Sequence, residues 1–347
     1  MAQSDVALQP GIALIGAGMI AQTHVLAISA LQSRCRLSAI ISTRPARAEY
    51  LADHYQGARP QFSSDLSLVL EDPATEFVIV ATPPSVRIEL IKSLANAGKH
   101  ILLEKPVARN IDESRQVVDI CDRAGITFGI LFQHRVRSTS KAAAELVAEG
   151  MLGKIGLVEI AVPLWRPQTY YDELGRGTYT RDGGGVLITQ AIHTIDLALS
   201  LTGPVTRVQA MTATTSLHDM EAEDFAVVGL RFNSGAVGSL VATTANYPHG
   251  KESITLHGEH GSMRLNADAI EVNWRDGRIE NYRPEIESNG ISAPKSELHR
   301  RVIENFIDSI EQGIKPMVNG TDALTSHRLI EAIEVSSRTG ESVDIDD

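Results

Sequence analysis

A buried strand, a tight turn and the start of a helix follow one another at residues 11–21, which read GIALIGAGMIA. Gly16 would permit the sharp turn, and Ala21 would let the helix pack closely against the strand. Gly18 would let a pyrophosphate approach the main chain, and the helix N-terminus would offer it unpaired N–H groups. Glycines punctuate ordinary turns as well, so this stretch alone leaves a dinucleotide site and a plain turn equally open.

Strands and helices alternate through residues 1–131, which is the pattern of a doubly wound parallel sheet with helices on both faces. Strands are predicted at Ile12–Gly16, Arg36–Ser42, Phe77–Ala81, His100–Glu104 and Ile126–Leu131. Helices are predicted at Met19–Leu31, Ala46–Tyr55, Asp65–Leu70, Ser85–Ala97 and Asp112–Ala124. Ligands of such sheets bind beyond the carboxyl ends of the strands. We therefore predict a cofactor site formed by Gly16, Gly18, Met19, Ile20, Ser42, Thr43, Arg44, Thr82, Pro83, Glu104 and Lys105.

The end of the second strand bears on which cofactor binds. NAD sites often place an Asp or Glu there for the ribose hydroxyls, but this chain reads Ser42-Thr43-Arg44. A hydroxyl beside a guanidinium suits a 2′-phosphate, because arginine pairs with phosphate through charge-assisted bonds. The stretch therefore favours NADP over NAD, with the alternative that these residues only cap the helix near Pro45.

The alternation stops after residue 131, and short strands joined by turns dominate the rest of the chain. We predict a second, α+β domain over residues 132–347 that binds substrate and contains a largely antiparallel sheet. A helix is expected at Val186–Leu201, and two more at Glu297–Gln312 and Thr321–Arg338 could pack back on the first domain. The stretch Glu287–Pro294 is expected to form an exposed loop.

Composition limits the possible partners. The net charge is −11, which disfavours nucleic acid or an anionic membrane as the main partner and favours a small ligand. The two cysteines are too few for a disulfide framework. No leader pattern and no long apolar run are visible in the sequence, so a soluble, cytoplasmic protein without a metal site is expected.

Two clusters carry the candidate chemistry. Lys105 follows a buried strand within the sequence Glu-Lys-Pro, at the edge of the sheet where a ligand is expected. Asp182-Gly-Gly-Gly precedes a helix on which Thr189, His193 and Asp196 are spaced to share one face. A histidine there could exchange a hydroxyl proton while hydride leaves or joins the same carbon, and a carboxylate one turn away could orient it. A surface lysine and a structural His–Asp pair are the ordinary alternatives.

These stretches together resemble the glucose–fructose oxidoreductase / inositol dehydrogenase / MocA-like family. The resemblance rests on GAGMIA, EKP and DGGGVLITQAIHTIDL in this order, and it spans nearly the whole chain. It implies a Rossmann domain followed by a large open antiparallel sheet whose outer face joins subunits into a homodimer or homotetramer. It also implies an NAD(P)-dependent oxidoreductase of sugars, sugar acids or cyclitols, in which Lys105 contacts the reacting oxygen and His193 is the acid–base group.

The chain departs from that family at one catalytic position. Many members have an aspartate one turn before the histidine, where this chain has Thr189. A neutral hydroxyl cannot raise the basicity of the histidine by charge, so Thr189 could instead bind substrate, and Asp196 or water could orient His193.

The irregular stretch after Val162 is predicted to line the substrate pocket. Its candidate pocket residues are Trp165, Arg166, Tyr170, Tyr171 and Arg176, with ordinary loop and interface roles as the alternative. Arg166 and Arg176 would matter if the substrate carries a carboxylate or phosphate. The predicted substrate contacts are Lys105, Arg166, Tyr170, Tyr171, Thr189 and His193, and weaker predictions add Gln133, His134 and Arg135, with His24 near the cofactor. Two other functions stay open: a glycosidase that retains its nicotinamide through oxidation and elimination, and a dinucleotide-binding sensor without catalysis.

Overall fold

Six parallel strands form one sheet in the computed structural model, which describes residues 9–283 and 294–346. The strands are β1 (Gly11–Ile15), β2 (Arg36–Ile41), β3 (Gln61–Ser63), β4 (Thr75–Val80), β5 (His100–Glu104) and β6 (Phe128–Leu131). Their order in the sheet is β3-β2-β1-β4-β5-β6. This is the doubly wound dinucleotide-binding order, in which the strand order reverses between β1 and β4. Every residue of β1 is buried, as a central strand covered on both faces requires.

Helices cover both faces of this parallel sheet. They are α1 (Ala21–Ser29), α2 (Pro45–Ala48), α3 (Ser67–Leu70), α4 (Arg87–Asn96) and α5 (Ile111–Ala124), with single 3₁₀ turns at Glu49–His54 and Pro84–Val86. A helix from much later in the chain, α9 (Lys295–Gln312), also packs in this unit, where the ring of Phe306 lies edge-on to that of Phe77 with 5.2 Å between centroids.

Nine strands form the sheet of the second unit. They are β7 (Ile155–Pro163), β8 (Val205–Ala213), β9 (Phe225–Phe232), β10 (Val237–Thr243), β11 (Ser253–Gly258), β12 (Gly261–Leu265), β13 (Ile270–Trp274), β14 (Ile279–Tyr282) and β15 (Val343–Asp344). Their order is β14-β13-β12-β11-β7-β10-β9-β8-β15. All neighbours are antiparallel except β7 and β10, which run parallel. The parallel sheet followed by this open sheet confirms the predicted fold class.

The helices of the second unit lie before, between and after its strands. They are α6 (Ser138–Ala148), α7 (Gln168–Tyr171), a π-helical turn at Leu187–Ala191 that continues into α8 (Ile192–Thr202), and α10 (Gly320–Thr339), with a 3₁₀ turn at Gln133–Val136. In the described part of the chain, no helix has the length and apolar character to cross a membrane.

The chain passes more than once between the two units. The first unit contains residues 9–107, 116–131 and 294–320, and the second contains 108–115, 132–283 and 321–346. Division at residue 131 alone therefore differs from the structure for 108–115 and 294–320. The sequence did not predict β3, β14 or β15, which are short, and the helix predicted at Ala46–Tyr55 is a single α-turn followed by a 3₁₀ turn. Most of the predicted loop Glu287–Pro294 lies outside the described residues.

Candidate active site

The glycine turn lies at the carboxyl end of β1, beside the point where the strand order reverses. Gly16 has a φ of 106°, and a Cβ there would stand 2.7 Å from the carbonyl oxygen of Ala81, so no other residue fits. A Cβ added at Gly18 would meet nothing within 4 Å, and Met19 is 72% exposed. The main chain of this turn is thus open on the side where the sequence predicts a pyrophosphate.

The end of β2 carries an exposed guanidinium. The Ser42 hydroxyl accepts a hydrogen bond of 3.3 Å from the backbone N–H of Arg44, the residue before α2, and within the described residues no side chain caps this helix. The exposed Arg44 side chain has no ion pair within the described residues. The capping alternative is therefore not seen, and phosphate binding by this stretch stays a prediction.

A buried arginine holds the loop that carries Lys105. Arg87 is 2% exposed, and its guanidinium donates to the carbonyl oxygens of Thr82 at 2.6 Å and Glu104 at 2.6 Å, and also to that of Pro106. Burial lowers the pKa of Arg87 to about 10, so it remains a cation at neutral pH. One side chain thus ties together the ends of β4 and β5, the two strand ends that the sequence assigns to the cofactor site.

The Glu104 side chain points into the first unit. Its Oε1 lies 2.9 Å from His24 Nε2 and 3.5 Å from His299 Nε2, and all three residues are buried. Burial by itself raises the pKa of Glu104, but the hydrogen bonds from the two histidines outweigh it and hold the pKa far below its usual range. The Glu104 carboxylate, predicted to contact the cofactor, is therefore engaged in this internal cluster.

His193 lies on α8, directly after the π-turn at Leu187–Ala191, and is 8% exposed. The ring of His134 stacks on it with 4.8 Å between centroids, and the ring of Phe132 meets it edge-on at 5.8 Å. Gln133 Nε2 lies 3.4 Å from His193 Nε2. The segment after β6 thus encloses the imidazole, and π-turns of this kind recur at functional sites.

Asp196 does not bond to His193 in the way the helical spacing suggests. Its two oxygens accept hydrogen bonds of 2.7 Å each from Nε and Nη2 of Arg135, in a bidentate ion pair. Burial raises the pKa of Asp196 to about 6, and the guanidinium opposes that rise, so the group is ionised at neutral pH. The carboxylate therefore fixes Arg135, two residues from Gln133.

Thr189 also faces its own helical segment. Its hydroxyl donates to the carbonyl oxygen of Gly185 at 2.5 Å and contacts the side chain of Gln190. The start of this segment is capped by Glu223, whose carboxylate oxygens accept the backbone N–H groups of Gly185 and Leu187 at 3.0 Å each. A Cβ on Gly185 would stand 1.7 Å from the Glu223 carbonyl oxygen, so the close approach requires glycine.

The predicted substrate segment separates into packed and accessible residues. Tyr171 is 7% exposed, and its hydroxyl bonds to that of Thr244 at 2.6 Å, so its contact with a substrate stays a prediction. Arg176 pairs with Glu173 and donates to the Tyr170 hydroxyl at 2.9 Å. Arg166 and Tyr170 remain half-buried at the surface of the second unit.

The glycine turn, the doubly wound sheet and the enclosed histidine define the class of an NAD-binding oxidoreductase. Residues 11–132 match the model of the oxidoreductase family with an NAD-binding Rossmann fold, and residues 140–264 match that of the GFO/IDH/MocA C-terminal domain. The chain belongs to the GFO/IDH/MocA family, which confirms the resemblance seen in the sequence. It is an oxidoreductase that uses a nicotinamide cofactor.

Solved structures and relatives agree over the whole chain. The WlbA dehydrogenase from Bordetella pertussis, in complex with NADH and UDP-GlcNAcA, is 32% identical with a TM-score of 0.82, over 98% of this chain and 99% of that one. A levoglucosan dehydrogenase in complex with NADH and levoglucosan is 25% identical with a TM-score of 0.87, over 98% and 100%. The uncharacterized oxidoreductase YrbE of Bacillus subtilis strain 168 is 27% identical over 96% of both chains.

Sequence reasoning missed Arg87 and Glu223, the two residues that fix the main chain beside Lys105 and before His193. Their partners lie far along the chain: Glu104 is 17 residues from Arg87, and Gly185 is 38 residues from Glu223. Glu223 lies in an acidic stretch, Glu221-Ala-Glu-Asp224, so the local sequence gave no signal that its carboxylate would be buried and paired.

Proposed function

We propose that this protein transfers a hydride between a nicotinamide and a secondary alcohol or ketone carbon of a sugar, sugar acid or cyclitol. Lys105 would hold and polarise the reacting oxygen, and His193 would exchange its proton. The bound nicotinamide would supply or accept the hydride. The single observation that carries this proposal is the enclosure of His193 by Phe132, Gln133 and His134 on a helix whose start is fixed by hydrogen bonds.

Partial burial suits the proposed role of His193. The residue is 8% exposed, so its immediate surroundings contain little water, and a proton it exchanges passes to a bound group rather than to solvent. Gln133 Nε2 lies 3.4 Å from His193 Nε2 and would help to orient the imidazole. Asp196 supports this arrangement by fixing Arg135, and Thr189 supports it through Gly185 and Gln190.

The cofactor is proposed to be NADP in preference to NAD. The support is the absence of an acid at Ser42-Thr43-Arg44, together with an exposed Arg44 that has no ion pair in the described chain. Comparison proteins with NADH bound support a nicotinamide in general. The sugar-like substrate class is supported by UDP-GlcNAcA and levoglucosan in those same complexes.

The outer face of the nine-stranded sheet is proposed to join two or four copies of the chain. On that face β10 exposes Val237 (46%) and Val241 (40%), which pair with Leu157 of β7 and Val227 of β9. Val227 in turn pairs with Met211 of β8, which is 56% exposed. Ser239 and its partner Glu159 lie between Val237 and Val241 on this face, so the exposed apolar side chains form two patches. Exposed apolar patches are typical of a protein interface, and light scattering of the purified protein measures the number of copies.

The experiment that tests the function incubates the protein with NAD⁺ or NADP⁺ and a panel of sugars, uronates and cyclitols. Formation of reduced nicotinamide is followed by absorbance. Lys105→Met should lower turnover about 10²–10⁴-fold and cofactor affinity far less, because the lysine acts on the reacting oxygen. Lys92→Met, on the exposed face of α4, is the matched control.

Turnover of Lys105→Met close to that of the control would refute the catalytic assignment. If no polyol reduces the cofactor, hydrolysis of a glycoside without net cofactor change would indicate the nicotinamide-retaining glycosidase. If neither reaction occurs while the dinucleotide binds, the sensor function remains.

A further inference from the structure

Three arginines lie on the segment between β7 and the π-turn, and two of them pair with the same carboxylate. Arg176 Nη2 pairs with Glu173 Oε2, and Arg181 Nη2 pairs with Glu173 Oε1 at 2.8 Å. Arg166 donates one hydrogen bond of 3.0 Å, to the carbonyl oxygen of the preceding residue. Within the described residues no carboxylate lies within 4.0 Å of its guanidinium. Arg166 is therefore the cation of this segment whose charge the described chain leaves unbalanced.

The main chain of Arg166 is held from both sides. Its backbone N–H donates to the carbonyl oxygen of Thr244 at 2.9 Å. Its carbonyl oxygen accepts a hydrogen bond of 2.8 Å from Nε2 of the buried His218, whose other ring nitrogen bonds to Asp224 at 2.7 Å. The residue cannot shift without breaking these bonds, so its position is set before any ligand arrives.

The guanidinium lies over an aromatic platform that is fixed as well. The Arg166 Cζ is 5.5 Å from the centroid of the Tyr170 ring, and Arg176 covers the same ring at 4.4 Å. The Tyr170 hydroxyl accepts a bond of 2.9 Å from Arg176 and lies 3.3 Å from Gln190 Nε2. Gln190 belongs to the π-turn that leads into His193, so this platform is attached to the helical segment of the acid–base residue.

A half-buried guanidinium with a preset position and no carboxylate partner is suited to an anion brought from outside the chain. Burying a cation is costly unless it is paired, and a planar guanidinium binds carboxylate and phosphate oxygens through two parallel bonds. We propose that Arg166 binds an anionic group, a carboxylate or a phosphate, of the sugar substrate. This inference rests on the proposed function.

The test measures equilibrium binding by calorimetry to the full protein saturated with NADPH, the reduced form of the proposed cofactor, which accepts no hydride from the sugars during the titration. The ligand pairs are D-glucuronate against D-glucose, D-glucose 6-phosphate against D-glucose, and UDP-glucuronate against UDP-glucose. The variants are Arg166→Gln, Arg166→Lys and, as a control with the same charge change, Arg278→Gln on an exposed hairpin.

At least one acid should bind the wild type about 10- to 100-fold more tightly than its neutral partner. Arg166→Gln should remove that preference, Arg166→Lys should retain part of it because only the second bond is lost, and Arg278→Gln should leave it unchanged. An equal loss of affinity for both UDP-sugars in Arg166→Gln would assign the anion to the diphosphate. The proposal would be overturned by a preference that survives Arg166→Gln. It would also be overturned if the wild type shows no preference and Arg166→Gln binds both UDP-sugars as tightly as the wild type does.

Failure of this inference and failure of the proposed function give different results. If acids bind through Arg166 but no compound reduces the nicotinamide, the anion-binding role of Arg166 is supported and the proposed oxidation of sugars is refuted. If neutral sugars are oxidised with dependence on Lys105 and no acid is preferred, the function stands and Arg166 has no anion to bind.

Discussion

The cap that Glu223 provides to the catalytic helix gives the sharpest quantitative prediction. Its carboxylate is 5% exposed and accepts the N–H groups of Gly185 and Leu187 at 3.0 Å each, while its backbone oxygen accepts that of Val186 at 2.8 Å. Replacement by alanine leaves two buried N–H groups without an acceptor. Each bond to a charged group contributes about 1.5–3 kcal/mol, so Glu223→Ala should destabilise the helix start by about 3–6 kcal/mol.

Replacing Glu223 by glutamine removes one of its two acceptor oxygens and keeps the other. Glu223→Gln keeps one oxygen acceptor and turns an amide NH₂ towards the other N–H, so about half of the loss is expected, about 1.5–3 kcal/mol. The readout is hydrogen exchange of peptides covering residues 183–193, which reports local opening even where the two units unfold separately.

The control for both substitutions is Glu221→Ala, because Glu221 is an exposed carboxylate two residues away. Exchange in the 183–193 peptides should speed up about 100-fold or more in Glu223→Ala, since about 3 kcal/mol corresponds to that factor, and should stay unchanged in the control. Turnover should fall with it because His193 loses its preset position. Equal exchange in Glu223→Ala and the control would refute the capping argument.

Two further predictions concern buried charged groups. Arg87→Met should lower the free energy of unfolding by about 3–5 kcal/mol in urea titrations, because the carbonyl oxygens of Thr82, Glu104 and Pro106 lose their donor. Arg87→Lys should not restore this stability, since one ammonium cannot span three acceptors. Burial, followed by the Glu223 charge, raises the pKa of Glu334 from its ordinary 4.5 to about 8. Between pH 4.5 and about 8, Glu334 therefore holds a proton in the folded chain that it releases in the unfolded chain. The free energy of unfolding should fall as the pH rises through this range. Glu334→Gln should flatten this dependence in thermal unfolding; an unchanged curve would contradict the assignment.

The parallel sheet could be predicted from sequence because its signals are local. Apolar runs such as His100–Glu104 end at turn residues, and Lys105 stands at such an end, so its place at the strand terminus follows without tertiary information. The same holds for Gly16, whose position between strand and helix is written into a few consecutive residues.

The contacts of the second unit could not be predicted from spacing alone. A spacing of 3.6 residues per turn puts Thr189, His193 and Asp196 on one helical face, but Thr189 lies in the π-turn at Leu187–Ala191, which changes its spacing from His193. His193 and Asp196 both lie in α8, yet Asp196 pairs with Arg135, 61 residues earlier. Neither a π-turn nor a distant ion pair leaves a periodic signal, so only the fold reveals them.

The position of α9 late in the chain determines when the first unit can finish folding during synthesis. Phe306 of α9 packs on Phe77, Asp308 binds Arg34 at 2.6 Å, and the backbone N–H of Ile130 donates to the carbonyl oxygen of Val318 at 3.0 Å. During synthesis on the ribosome the six-stranded sheet emerges long before these residues. The dinucleotide unit therefore stays unfinished until residues 294–320 have emerged, and until then part of its apolar surface is exposed to chaperones and proteases.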